Sequence, residues 1–263
     1  MLLAIPLGLA IGVAVGMLGG GGSVLAVPVL VYLLDQSVEE ATTASLLIVA
    51  AGSIAGGLGH ARAGRICWRH AGTFTAAAVP GIILGTLAGN ATSATALLAA
   101  FALVMFAAAH ATWRKAEEQQ EPDDGWEGGG ACPPLRLPRD LVAGLAVGFL
   151  TGFFGVGGGF LIVPTLAVAL AFTLRTAVGT SLAIITATSL LGLGVHLLAG
   201  RTIDAELTSV MAAACVTGAL AGAALGERIP QRTLGRAFAA LVTAVAVYLL
   251  LSVAVLGGPP GGG

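Results

Sequence analysis

Gly12-x3-Gly16-x2-Gly19-Gly20-Gly21-Gly22-Ser23-x4-Pro28 interrupts an apolar run near the N-terminus. It is met again 136 residues later as Gly148-x3-Gly152-x2-Gly155-Val156-Gly157-Gly158-Gly159-x4-Pro164. Residues 12–65 slide onto 148–201 without a gap, and Ser45 falls on Ser181, His60 on His196, and Gly64-Arg65 on Gly200-Arg201. A chain that repeats an apolar unit, with its helices broken at matching points, carries the pattern of a repeat-built secondary transporter.

The material around the two breaks is membrane material. Of 263 residues, 57% are hydrophobic and 10% charged, against about 25% charged in an ordinary soluble domain; the mean hydropathy is +0.96. Apolar segments follow one another at 2–18, 23–34, 41–59, 71–89 and 93–113, then at 140–154, 159–172, 177–199, 207–225 and 234–256. Most approach the roughly 20 residues that span a bilayer, and none alternates as a barrel strand would. The expected fold is an all-α polytopic membrane protein of two inverted repeats. Each has a glycine-broken helix pair and three further helices, for 8–10 membrane segments. The first segment lacks a basic leader and is expected to be retained as a helix.

The polar stretch 114–138, with six acidic residues, separates the first repeat (1–113) from the second (139–256), and 257–263 is a Pro/Gly tail expected to be disordered. Orientation follows from the twelve Lys and Arg. If each broken pair enters and leaves by one face, loops 60–70, 114–139, 173–176 and 226–236 share a side holding eleven of them, and only Arg201 lies opposite. If each pair crosses once, the split is eight to four. The positive-inside rule selects the first scheme. The linker is then cytoplasmic and the two breaks enter the membrane from opposite faces.

Non-helical backbone at membrane depth survives only where it lines a cavity or is buried in protein. The glycine runs allow close approach of backbone and offer N–H groups at the start of the next half-helix, where anions are favoured; Ser23 stands at the N-cap position. Tight packing of small residues is the competing reading. No Asp, Glu, Lys or Arg lies deep inside an apolar run, unlike the intramembrane acids of cation carriers and proton pumps. Backbone dipoles, hydroxyls and imidazoles remain, and they suit a small anion.

The candidate substrate-binding residues are Gly20, Gly21, Gly22, Ser23 and Ser45 in the first repeat. Gly157, Gly158, Gly159, Thr180 and Ser181 complete the set in the second. Thr42 and Thr43 are further hydroxyls beside them. His60 and His196 end equivalent helices and are either helix-end fixtures or proton-coupling groups. Arg62, Arg65 and Arg69 set topology or attract anions at a vestibule. Gly8 and Gly144, outside the breaks, are expected to tolerate alanine. Cys67, Cys132 and Cys215 fit neither a disulfide framework nor a zinc site. G-x-G-x-x-G fails at Phe160, and no P-loop, HExxH, CxxC or Ser-His-Asp set is visible. No enzyme, cofactor or metal is expected, and the net charge of −1 makes no case for nucleic acid.

The paired glycine runs with Pro28 and Pro164 resemble the sulfite exporter TauE/SafE family. So do Ala44-Ser45-Leu46, Gly179-Thr180-Ser181-Leu182, His60-x3-Gly64-Arg65-Ile66-Cys67-Trp68 and His196-x3-Gly200-Arg201-Thr202-Ile203-Asp204. The resemblance covers all but the linker and tail. It implies a bacterial or archaeal inner-membrane permease, an exporter of sulfite, a sulfonate or a related small anion, with about eight spans. An anion channel using the breaks as a filter is the alternative. The implied partners are the anion, the bilayer and, in an oligomer, a second copy in a homodimer.

Overall fold

The computed structural model describes residues 3–89, 92, 94–118, 132–154, 159–198, 200 and 203–256. These are predominantly helical, with no strand among the described residues. In chain order the helices are α1 (Ala4–Leu18), α2 (Ser23–Pro28), α3 (Val38–Arg62), α4 (Trp68–Gly89) and α5 (Ala94–Glu118). The second set is α6 (Leu137–Phe154), α7 (Gly159–Pro164), α8 (Leu174–Leu198), α9 (Ala205–Arg228) and α10 (Gln231–Leu256). Six stretches are long and apolar enough to cross a membrane among the described residues: Ala4–Val31, Glu39–Arg62, Trp68–Gly89, Leu137–Phe154, Leu174–Leu198 and Ala205–Arg228. Helix α5 runs on to Glu118, past the point where the apolar pattern stops. The linker core 119–131 and the tail 257–263 lie outside the described residues.

Local sequence explains where the elements start and stop. Ser37 caps α3 by accepting from the Glu40 N–H at 3.3 Å, and its hydroxyl donates to the Glu40 carboxylate at 2.8 Å, a side-chain cap that satisfies one of the free N–H groups at the helix start. Asp204 caps α9 in the same way through the N–H groups of Glu206 and Leu207. After Pro28 and Pro164 the backbone widens into matching π-helical turns, Val29–Leu33 and Thr165–Ala169. Proline cannot donate its i→i−4 bond, and a widened turn accommodates it. Both short segments end on a left-handed residue, Asp35 and Ala171, again 136 apart.

The stretch Ala4–Val31 is not one straight helix. At Gly19 the backbone takes φ 68°, ψ −122°, a region open in practice only to glycine. The chain then doubles back through a 3-10 turn, Gly19–Gly22. A Cβ on Gly22 would lie 2.5 Å from the Val15 nitrogen and 2.8 Å from the Ile11 carbonyl, two residues of the helix just left.

Two glycine seams hold the bundle together. In α1, Gly8, Gly12 and Gly16 face Met211, Cys215 and Ala219 of α9 in step, so these helices run side by side in the same direction. In α6, Gly144, Gly148 and Gly152 face Phe74, Ala78 and Ile82 of α4 in the same way. Each seam pairs a helix of one half with a helix of the other. Small residues at every fourth position let backbones meet, which drives helix association in lipid. The expectation that Gly8 and Gly144 tolerate alanine is therefore corrected. A Cβ on Gly8 would stand 2.9 Å from the Met211 carbonyl, and one on Gly144 2.5 Å from that of Phe74. Real Cβ contacts of that kind require the neighbour to move.

Two further corrections concern polar chemistry at the end of the bundle that holds the α3–α4 turn. Cys67, in that turn, is disulfide-bonded to Cys132, which precedes α6, although their separation in sequence matches no short motif. Asp140, which the apolar pattern places at a segment edge, is fully buried. Its Oδ1 lies 2.5 Å from His70 Nδ1, while His70 Nε2 lies 3.0 Å from the Pro133 carbonyl. Asp140 and the Pro133 carbonyl between them engage both ring nitrogens of His70.

Candidate functional site

Helices α3 and α8 cross the centre of the bundle in opposite directions: the start of each lies beside the end of the other. Thr43 of α3 meets His196 of α8 at 2.9 Å, and Gly179 of α8 lies against His60 of α3. Between the cavity-side halves of these helices lies a cleft of about 480 Å³, within the roughly 300–1,000 Å³ of ligand pockets. Its polar wall includes Ser23, Thr42, Ser45, Thr86, Ser189 and His196, with Gly152, Gly159 and Gly192 giving depth. Phe153, Phe154, Ile82 and Ile185 close the apolar side. Among the described residues, no Asp, Glu, Lys or Arg borders it.

The hydroxyls are already engaged. Ser23 donates to the Gly20 carbonyl at 2.7 Å, Ser45 to that of Thr42 at 2.8 Å, and Thr86 to that of Ile82 at 2.9 Å. Such back-bonding is usual for hydroxyls in apolar helices. Their protons can be transferred to an incoming oxyanion, because a charge-assisted hydrogen bond is stronger than the neutral bond given up. Thr43 donates to the Glu39 carbonyl at 3.0 Å and shares a hydrogen bond of 2.9 Å with His196 Nδ1.

The structure separates the sequence-chosen residues into three groups. Ser23, Ser45, Gly159 and His196 line the cleft. Gly20, Gly21 and Gly22 are buried beside it rather than on its wall: a side chain on Gly20 would overlap the Gly159 carbonyl, Gly21 faces Phe238, and Gly22 lies on α1. Here the breaks meet each other, backbone against backbone. Thr180 and Ser181 sit toward the other end. Thr180 Oγ1 accepts from the Cys67 N–H at 3.1 Å, and Ser181 donates to the Val178 carbonyl at 2.8 Å. Gly157 and Gly158 lie outside the described residues. Ser23 does not cap α2, since its hydroxyl donates to a carbonyl and the N-cap Gly22 has no side-chain bond. His60 is buried, and its Nδ1 has no partner. Sequence reading passed over Thr86, Thr151, Thr188 and Ser189, all on the cleft wall. Only their positions on α4, α6 and α8 mark them out, and a lone hydroxyl in an apolar run gives no sign of the face it occupies.

Comparison with known proteins places the chain among transporters. The sequence model of a family described as Sulfite exporter TauE/SafE matches residues 4–249. A probable membrane transporter protein of Xylella fastidiosa (strain 9a5c) is 32% identical over 257 residues, covering 91% of each chain. One from the archaeon Methanocaldococcus jannaschii is 26% identical over 270 residues, covering 95% of this chain and 97% of the relative. One from Bacillus subtilis is 26% identical over 250 residues, covering 87% and 88%. No solved structure matches.

Proposed function

The chain belongs to the sulfite exporter TauE/SafE family, a multi-pass membrane transporter family, and from that premise we propose that it is a secondary transporter exporting a small anion across the inner membrane. Sulfite, a sulfonate or a related organic anion is the proposed cargo. The observation that carries the reading is the uncharged, hydroxyl- and imidazole-lined cleft between two glycine breaks. Such a lining can hold a small oxyanion without the intramembrane acids that a cation or proton carrier uses. Ser23, Ser45, Gly159 and His196 form its first contacts. His60 and His196 are the groups proposed to exchange a proton with the cargo. An inside-negative potential alone favours exit, by about 2.3 kcal/mol per charge per 100 mV.

Helix directions support opposite orientation of the halves. α1 and α9 run together, α4 and α6 run together, and the short α3–α4 turn makes those two antiparallel. Together with the basic loops, this supports a cleft facing outward and an α3–α4 turn facing the cytoplasm. A carrier is favoured over a channel because the end away from the cleft is packed shut around Thr180, His60 and the Arg65–Glu227 ion pair of 3.1 Å. A homodimer is compatible with this arrangement and forms no part of the site.

The test is ligand stabilisation and counterflow. Purified full-length protein is heated with sulfite, sulfate, thiosulfate, sulfoacetate, taurine and short carboxylates, where a cargo at a hundred times its Kd contributes about 2.7 kcal/mol. Proteoliposomes preloaded with the stabilising anion should then accelerate uptake of the same labelled anion. Stabilisation by none of these anions, or uptake that never saturates, would overturn the carrier reading.

A further inference from the structure

The internal repeat makes each residue of the cleft a pointer to an equivalent residue on the opposite side of the bundle. Ser189 and His196 line the cleft; their equivalents are Ser53 and His60. Gly152 and Gly192 line it as well; their equivalents are Gly16 and Gly56. The second set is collapsed. A Cβ on Gly56 would be 3.1 Å from Gly16 Cα, and one on Gly52, equivalent to cleft-lining Thr188, 2.6 Å from Cys215 Sγ.

Two of the collapsed residues carry buried polar atoms with no hydrogen-bond partner, Ser53 Oγ and His60 Nδ1. Ser53 is 1% and His60 7% exposed. An orphaned buried donor or acceptor costs about 1–3 kcal/mol, and two on one helix, both at positions whose equivalents face a cleft, share one explanation. In the other half His196 is satisfied by Thr43. The residue facing His60 at the corresponding place is Gly179, which has no hydroxyl to offer. No other residue of the described structure meets His60 Nδ1.

We propose that Ser53 and His60 form a second anion half-site, collapsed in this state, which takes the same small oxyanion when the bundle opens at the α3–α4 end. Ser53 supplies a hydroxyl proton to the anion and His60 an imidazole N–H. The mouth is already equipped for an anion. Arg65 stands there, held by Glu227 at 3.1 Å. Beside it, Arg175 holds the Glu227 and Ile229 carbonyls at 3.2 Å each, with its own Nε unpartnered. Opening requires the Arg65–Glu227 pair and the Cys67–Thr180 bond to part, which exposes two guanidiniums to the arriving charge. The half-sites are unequal, because His196 has Thr43 and His60 has only glycine opposite. His60 therefore depends more on the cargo itself for a partner.

This inference rests on the carrier reading, and the experiment separates the two. Ser53→Cys and Ser189→Cys are made singly in the full chain, reconstituted, and exposed to a membrane-impermeant anionic methanethiosulfonate, with the wild-type chain as the reactivity blank. The expected result is that Ser189→Cys reacts from one face and Ser53→Cys only from the opposite face. Reaction at each is slowed at least threefold by the anion that stabilises the wild type, measured relative to a cysteine placed at an exposed position away from the cleft, which corrects for consumption of the reagent by nucleophilic anions such as sulfite. Transport with no reaction at Ser53→Cys from either face would overturn the half-site while leaving the carrier intact. So would reaction at Ser53→Cys that no cargo slows. Absence of anion protection at Ser189→Cys would instead remove the carrier reading on which both stand. His60→Gln is the second variant: folded yield is retained, and the apparent affinity for anion presented at the α3–α4 face falls at least threefold while that at the other face is unchanged. An equal fall at both faces overturns the assignment.

Discussion

Replacing His70 with leucine leaves the fully buried Asp140 carboxyl group without its partner, and the consequence can be worked from the geometry. Oδ1 loses its only recorded partner, 2.5 Å away, and Oδ2 has none to begin with. Breaking a buried pair by removing one member costs about 3–5 kcal/mol, because the surviving charge is uncompensated. For a chain of this size that corresponds to a drop in Tm on the order of 10 °C. The other half of the molecule indicates the repair. In the α1–α9 seam, where Met211 stands against Gly8 as Phe74 stands against Gly144, the places of Asp140 and His70 fall to Ala4 and Leu207, both apolar and both buried. The double substitution His70→Leu/Asp140→Ala, which copies that solution, should recover most of the loss, since apolar replacement of a buried pair is often neutral or stabilising. Thermal unfolding of all four proteins in one detergent completes the double-mutant cycle. A coupling of at least about 2 kcal/mol is expected. If the double variant is destabilised by the sum of the two singles, the residues do not act as a pair and the argument fails.

Gly148→Ala should destabilise by about 1–3 kcal/mol through overpacking, because its Cβ would come 2.7 Å from Ala78 Cα. Gly194→Ala, with nothing within 4 Å, should instead gain about 0.5–1 kcal/mol of helix propensity; denaturation of the two variants beside wild type reads the difference, and equal effects would refute the seam. A reporter fused after residue 256 should read outside the cytoplasm, and one inserted at residue 125 inside. A cytoplasmic reading at both places would remove the opposite orientation of the halves.

The duplicated break, the helix content and the broad order of elements were all legible, because glycine runs, prolines and apolar lengths are local signals. What escaped was relational. Gly8 and Gly144 look like ordinary helix glycines until α9 and α4 are brought against them. Cys67 and Cys132 acquire meaning only when the α3–α4 turn meets the segment before α6. Asp140 sits at the polar edge of its own helix, and its burial is decided by His70 on another. The glycine runs were recognised as special, but closeness of backbone to ligand and closeness of backbone to backbone demand the same residue. Only the position of Gly20 against Gly159 shows which partner it has here. The cleft itself was half read: Ser23, Ser45 and His196 were chosen from the repeat, while Thr86 had no polar repeat partner to single it out and the Ser53–Ser189 pair lay outside any glycine break or helix end.

The two glycine seams join α1 to α9 and α4 to α6, so every seam takes one strip from each repeat. Neither repeat owns a complete seam. A chain containing a single repeat would be left with two open glycine strips, and a second copy laid in the opposite sense would cover both. The duplication thus fixes in one polypeptide a pairing that single copies could reach only by meeting head to tail. The 119–131 linker need only be long enough not to oppose it. Cutting the chain there should leave two fragments that each seek the other.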